Sequence, residues 1–170
     1  ATVCAVRFRP GPGLNRRSLL IGGGAAAGLL LAWELWPRHY VPNLATSGTE
    51  TPINAFLKID STGQIITIMP QLEMGQGVST LLPQILADEL GADWRTVGVQ
   101  AAPVSPLYAN TLLAKEFIGG DVARLAGGAG EWAIREYATR NAMMLTGGAT
   151  SVRMFAQSYR EAGAAARVLL

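Results

Sequence analysis

Apolar residues recur along this chain in three different patterns, and each predicts a different kind of element. From Leu19 to Trp33 no charge interrupts a run of Leu, Ile, Ala and Gly, which predicts a helix that is apolar on all sides. Ala55 to Asp60 and Ile65 to Met69 are short runs rich in Ile and other apolar residues, the composition of strands. Ser61-Thr62-Gly63-Gln64 lies between them. Glycine takes the left-handed turn conformation without steric penalty, so a β-hairpin is expected. Leu82, Ile85, Leu86 and Leu90 then recur at helical spacing, with Gln84 and Asp88 on the other side. Pro83 fits a helix only in its first turn, which places the start near Ser79 or Thr80. Gly91 is a suitable stop.

Further on, residues 97–100 read as a strand and residues 102–110 as a proline-containing loop. Residues 112–145 are helix-prone but interrupted by Gly119-Gly120 and Gly127-Gly128. After a Gly/Thr/Ser stretch at 146–151, Val152, Phe155, Tyr159, Ala162, Ala166 and Leu169 mark a final amphipathic helix. There is no internal repeat. The expected fold is α+β, with short strands and amphipathic helices preceded by an N-terminal apolar helix. Residues 1–36 are the expected signal or anchor, 37–52 a linker rich in Pro, Asn, Ser, Thr and Gly, and 53–170 the globular part.

Composition narrows the chemistry. Of 170 residues, 49% are apolar and 15% charged, so the chain is globular rather than disordered. A net charge of +2 without a basic stripe argues against a nucleic-acid partner. One cysteine, Cys4, and one histidine, His39, cannot assemble a protein-built zinc or iron–sulfur site, so no metal ligands are assigned. His39, between Arg38 and Tyr40, reads as solvated or interfacial.

Arg16-Arg17 before a weakly apolar, glycine-rich run has the traits of a twin-arginine export signal, which places the chain in the periplasm. No good cleavage site follows Trp36-Pro37-Arg38. The segment is therefore expected to stay attached to the inner membrane, with Trp33 and Trp36 at its interface. A start at Ala1 and an end within a helix at Arg167-Val168-Leu169-Leu170 suggest a piece of a longer gene product.

Two loops are candidates for chemistry, Gly75-Gln76-Gly77 and Thr146-Gly147-Gly148-Ala149-Thr150-Ser151. Each places small residues before a helix. Glycine lets backbone approach a ligand, and the N–H groups of a first helical turn suit an anion such as a phosphate. Gln76 adds an amide, and Thr146, Thr150 and Ser151 add hydroxyls. Taken alone, the first loop also reads as a tight strand-to-helix turn, and the second as a helix–loop–helix connection with a Thr/Ser cap.

Glu73-Met74-Gly75-Gln76-Gly77-Val78-Ser79-Thr80-Leu81-Leu82-Pro83-Gln84, with Ala87-Asp88-Glu89-Leu90, resembles the Met-Gly-Gln-Gly motif of the xanthine dehydrogenase/aldehyde oxidase family. The similar branch is the isoquinoline 1-oxidoreductase β-subunit type, also called membrane-bound aldehyde dehydrogenase. Asp93-Trp94, Ala102 to Asn110, Thr146 to Arg153 and Arg160 to Arg167 are similar to the same branch, and the resemblance spans about residues 53–170.

The resemblance implies part of a molybdopterin-binding domain. Gly75, Gln76 and Gly77 would contact a molybdopterin, in this family typically the cytosine dinucleotide, and Thr146, Gly147, Gly148, Thr150 and Ser151 would hold its pterin or phosphate end. Ala149 departs from the family's usual Ser. Family members hydroxylate aldehydes or N-heteroaromatics using a base near the C-terminus of the large subunit. Glu73, Glu89 and Glu116 are not its counterpart, and Glu73 reads as structural. Electrons would pass to a small subunit with two [2Fe–2S] clusters and on to a respiratory acceptor such as a cytochrome c. The expected function is thus the front part of a molybdenum-dependent oxidoreductase subunit, inactive alone and with no catalytic residue of its own. The alternative is a non-catalytic, membrane-tethered periplasmic binding module or a degenerate fragment.

Overall fold

The computed structural model describes residues 15–36 and 38–170, and the chain divides into two compact units between His39 and Tyr40. Cys4 lies outside the described residues. In the first unit, α1 (Arg16–Leu35) is a 20-residue helix. Arg38 donates to the Trp33 carbonyl and lies over the Trp33 ring, 5.6 Å from its centre.

The expected N-terminal apolar helix and its membrane anchorage are corrected here. Among the described residues, no helix is long and apolar enough to cross a membrane. The physical reason lies in composition. Twenty residues reach about 30 Å, but Gly22, Gly23, Gly24 and Gly28 bring little apolar surface, and Arg16 and Arg17 occupy the first turn.

The second unit is α+β. Its sheet has strands β1 (Glu50–Asn54), β2 (Leu57–Asp60), β3 (Ile65–Met69) and β4 (Val97–Ala101), in that order. The first three are antiparallel neighbours, and β3 and β4 are parallel. A parallel pair needs a crossover, which α2 (Val78–Leu90) supplies. Single 3-10 turns at Trp94–Thr96 and Pro106–Tyr108 flank β4. Then come α3 (Thr111–Arg140) and α4 (Thr150–Leu169).

The β2–β3 hairpin forms as expected. Gly63 has φ +83° and donates to the Asp60 carbonyl, while Thr62 caps the Asp60 carboxylate. Strand β1 begins inside the stretch read as linker. It is anchored by Lys58, 1% exposed, which donates to Glu50 at 2.7 Å and to the Ala45 carbonyl at 2.8 Å. A buried cation needs both a counter-charge and hydrogen bonds, and residues 45–50 supply them.

Helix α2 starts one to two residues earlier than Pro83 implied. Pro83 is the sixth helical residue and is buried, so the missing N–H costs one interior hydrogen bond. Gly91, with φ +77°, ends the helix and donates to the Ala87 and Asp88 carbonyls. Helix α3 runs through Gly119-Gly120 and breaks at Gly127, with φ 56° and ψ −139°. The chain then folds back. Lys115 pairs with Glu131 at 2.8 Å, and Ala114 packs with Ile134 and Ala138 in a small second core. The helix ends at Arg140 rather than near 145.

The main core lies between the sheet, α2 and α4. Leu57, Ile65 and Met69 meet Leu82, Leu86, Phe155, Tyr159 and Ala166. The stripe read on α4 is buried at Phe155, Tyr159, Ala162 and Ala166, while Leu169 is exposed. Tyr159 also donates through its hydroxyl to the Ile68 carbonyl, which ties α4 to β3 at a named point.

Candidate functional site

The first loop, residues 71–77, leaves β3 through Pro70 and enters α2. Gly75 and Gly77 have φ of +93° and +79°, a region that side chains disfavour. That turn brings the Glu73 carboxylate under the start of α2. It accepts from the backbone N–H of Gly75 at 2.8 Å, of Gly77 at 2.9 Å and of Ser79 at 2.9 Å. The N–H of Ser79, then that of Gly77, hold its pKa below the ordinary glutamate range, against the opposing effect of desolvation. The anion site that a helix N-terminus offers is thus filled by the chain itself, in line with the structural reading of Glu73.

Gln76 also turns back on its own loop. Its amide nitrogen donates to the Leu72 carbonyl at 2.7 Å, and its oxygen accepts from the N–H of Met74. It therefore shapes the loop as well as lining the space beside it.

The second loop enters α4 through two left-handed residues, Gly148 with φ +56° and Ala149 with φ +51°. A Cβ at Gly148 would lie 3.1 Å from Glu116 Oε2 and 3.3 Å from Leu113, a tight fit that those side chains would have to yield to, so glycine suits the position chiefly by its conformation. Ala149 is the N-cap, with no side-chain cap and no acidic residue in the first turn of α4. The Glu116 carboxylate beside Gly148 pairs with Arg153 at 3.0 Å, whereas Glu73 bonds the N–H groups at the start of α2.

Two of the predicted contacts point inward. Thr150 is fully buried, and its hydroxyl donates to the Gly147 carbonyl at 2.8 Å. Ser151 is 6% exposed and donates to Gln71 Oε1 at 3.0 Å. Thr146 uses its oxygen to accept from the N–H of Leu72 at 2.8 Å. The two loops, some 70 residues apart in sequence, are therefore stitched together directly.

They share one cavity of about 330 Å³. Met74, Gln76 and Val78 form one wall; Thr146, Gly147, Gly148, Ala149, Ser151 and Val152 form the other. Gly75, Gly77 and Thr150 do not line it. A second cavity of about 320 Å³, mostly apolar, lies beside it and shares Thr146 and Gly147. Among the described residues no cluster of His, Cys, Asp and Glu could hold a metal ion.

Two buried residues at this site went unnoticed in the sequence. Asn110 caps α3 by accepting from the N–H of Leu113, and Gln71 receives the Ser151 hydroxyl. An Asn before a helix-prone run is a recognisable N-cap signal; Gln71 carries no comparable one.

Comparison with known proteins adds one relationship. The chain is similar to the isoquinoline 1-oxidoreductase subunit beta of Brevundimonas diminuta. Identity is 33% over 97 residues, covering 51% of this chain and 12% of that subunit. The chain thus spans about an eighth of the length of the relative it matches. No family model matches it. This likeness relates the chain to a protein named as one subunit of an oxidoreductase.

Proposed function

We propose that the chain contributes one wall of a molybdopterin site to a larger oxidoreductase subunit. The observation that carries this reading is the shared cavity. Two glycine-rich loops, distant in sequence, close on one space, and one wall ends in a helix start with no acidic residue in its own first turn, where Arg153 pairs with the neighbouring Glu116 carboxylate at 3.0 Å. That wall fits the phosphate end of a molybdopterin, or of its cytosine dinucleotide form, since backbone N–H groups and the helix dipole favour an anion there. A volume of about 330 Å³ matches one portion of such a cofactor, with other parts of the subunit covering the rest. Gly147, Gly148 and Ala149 would hold it by backbone, and Gln76 would border it across the cavity.

When bound, such a cofactor supplies two-electron oxidation with oxygen taken from water. This chain's residues bind and orient it; none is assigned as catalytic acid or base. The similarity to an isoquinoline 1-oxidoreductase β-subunit supports N-heteroaromatics as a substrate class, and the motif resemblance adds aldehydes. A name as subunit beta also supports a partner subunit; the motif resemblance at residues 73–90 and 146–153 suggests that this partner is a small [2Fe–2S] subunit accepting the electrons, with a cytochrome c beyond it. Arg16-Arg17 supports twin-arginine export of the folded subunit to the periplasm.

Ala149→Asp in the intact subunit tests the cofactor reading. A carboxylate at the start of α4 favours the helix but competes with a bound phosphate. Molybdenum and pterin per folded chain are expected to fall at least tenfold with Tm unchanged or raised. Wild-type cofactor content in the variant would refute the reading.

A further inference from the structure

The polar residues buried behind the two loops form a connected set that does not itself line the cavity at Asn110, Gln71 or Thr150. Asn110 is 1% exposed, Gln71 4% and Thr150 0%. Buried polar groups at such depth are held in one arrangement by the donors and acceptors around them.

The Asn110 amide has its orientation decided by its neighbours. The Leu113 N–H can only donate, so the atom 3.0 Å from it is the oxygen. The amide nitrogen therefore faces the other way. It donates to Thr150 Oγ1 at 2.8 Å and to the Leu145 carbonyl at 3.0 Å, with a longer contact of 3.3 Å to Gln71 Oε1. Thr150 has one proton to give, and having accepted from Asn110 it donates to the Gly147 carbonyl at 2.8 Å. The Thr150 N–H reaches the same carbonyl at 3.1 Å.

This relay from Asn110 through Thr150 to Gly147 closes the turn whose two middle residues, Gly148 and Ala149, have positive φ. Alanine resists that conformation, so the turn needs an external hold, and Asn110 is where the hold begins. We infer that Asn110 is a positioning residue. It does not reach the cavity of the proposed cofactor, but it sets the turn that presents the first N–H groups of α4 to it. The inference rests on the cofactor reading, which it deepens by naming what pre-organises the anion-binding wall.

Two substitutions separate this role from general stability. Asn110→Asp keeps the acceptor for Leu113 and the size, so the cap on α3 survives, but the ionised side chain cannot donate to Thr150. Thr150→Val keeps shape and removes the hydroxyl, and Thr150→Ser restores it. Molybdenum and pterin retained per folded intact subunit are measured during prolonged dialysis, with amide hydrogen exchange of residues 147–152 followed in parallel. Leu82→Ala, in the core away from both loops, serves as a control for lowered Tm.

Asn110→Asp and Thr150→Val are expected to lose cofactor at least tenfold faster than wild type and to exchange faster at 147–152. Thr150→Ser should return both towards wild type, and Leu82→Ala should leave retention by its folded fraction within about twofold. Wild-type exchange at 147–152 in both Asn110→Asp and Thr150→Val would overturn the inference, as would equally fast cofactor loss in Leu82→Ala. Wild-type protein that carries no molybdenum or pterin would instead sink the cofactor reading, while the exchange measurement would still decide whether Asn110 sets the turn.

Discussion

Glu73 shows how a single residue changes what a loop can bind. A glycine-rich turn before a helix reads as an open anion site, yet here the anion is already a side chain, bonded to three N–H groups. Because those bonds favour the ionised form, its folded pKa lies below the value of the unfolded chain. The stabilisation is therefore complete above the ordinary glutamate value, near 4.5, and is lost as pH falls through the lowered folded value. Glu73→Gln should lower Tm at neutral pH, and the gap from wild type should narrow as pH falls from 4.5 towards 3. Thermal melts of both proteins across that range check it; a gap that stays constant would contradict the role given to the carboxylate. The residue scale also marks where sequence reasoning stopped. Thr150 and Ser151 were legible as hydroxyls beside a helix start, but α4's rotation turns both inward, and that depends on Phe155 and Tyr159 packing into the core.

At the scale of elements, α2 and α4 approach closely at Gly163. A Cβ at Gly163 would lie 2.5 Å from the Leu86 carbonyl and 3.0 Å from Glu89 Cβ, so the two helices meet backbone to backbone there. Gly163→Ala must push them apart, at a cost of about 2 kcal/mol. The expected fall in Tm is roughly 5 °C, read by calorimetry; an unchanged Tm would mean that the helices are not so close. Periodicity announced both helices and their buried stripes, because spacing at three and four residues is local information. It did not announce β1, whose Glu50-Thr51-Pro52-Ile53-Asn54 lacks strand composition and is held by pairing with β2 and by the buried Lys58. Nor did it place the break in α3 at Gly127 while leaving Gly119-Gly120 helical. The two pairs look alike in sequence, and the fold-back that packs Ala114 on Ile134 and Ala138 distinguishes them.

For the whole molecule, the division between His39 and Tyr40 separates a segment with the marks of an export signal from the unit that carries the candidate site. If the Arg pair is the address, changing both Arg16→Lys and Arg17→Lys should leave the protein in the cytoplasm. Fractionation against a periplasmic marker tests this, and normal periplasmic delivery would refute it. By itself the sequence determined the α+β class of this unit, the hairpin at Gly63, the helices after both glycine-rich loops and the likeness to an oxidoreductase subunit. These depend on composition, spacing and local turn chemistry, which are written in neighbouring residues. Only the tertiary structure decided that the loops share one cavity, that Glu73 fills the start of α2 while Glu116 beside α4 is paired with Arg153, and that Asn110 reaches Thr150 across 40 residues. Those facts follow from long-range packing, because burying the α2–α4 seam against the sheet determines which face of each loop meets the ligand space and which meets the core.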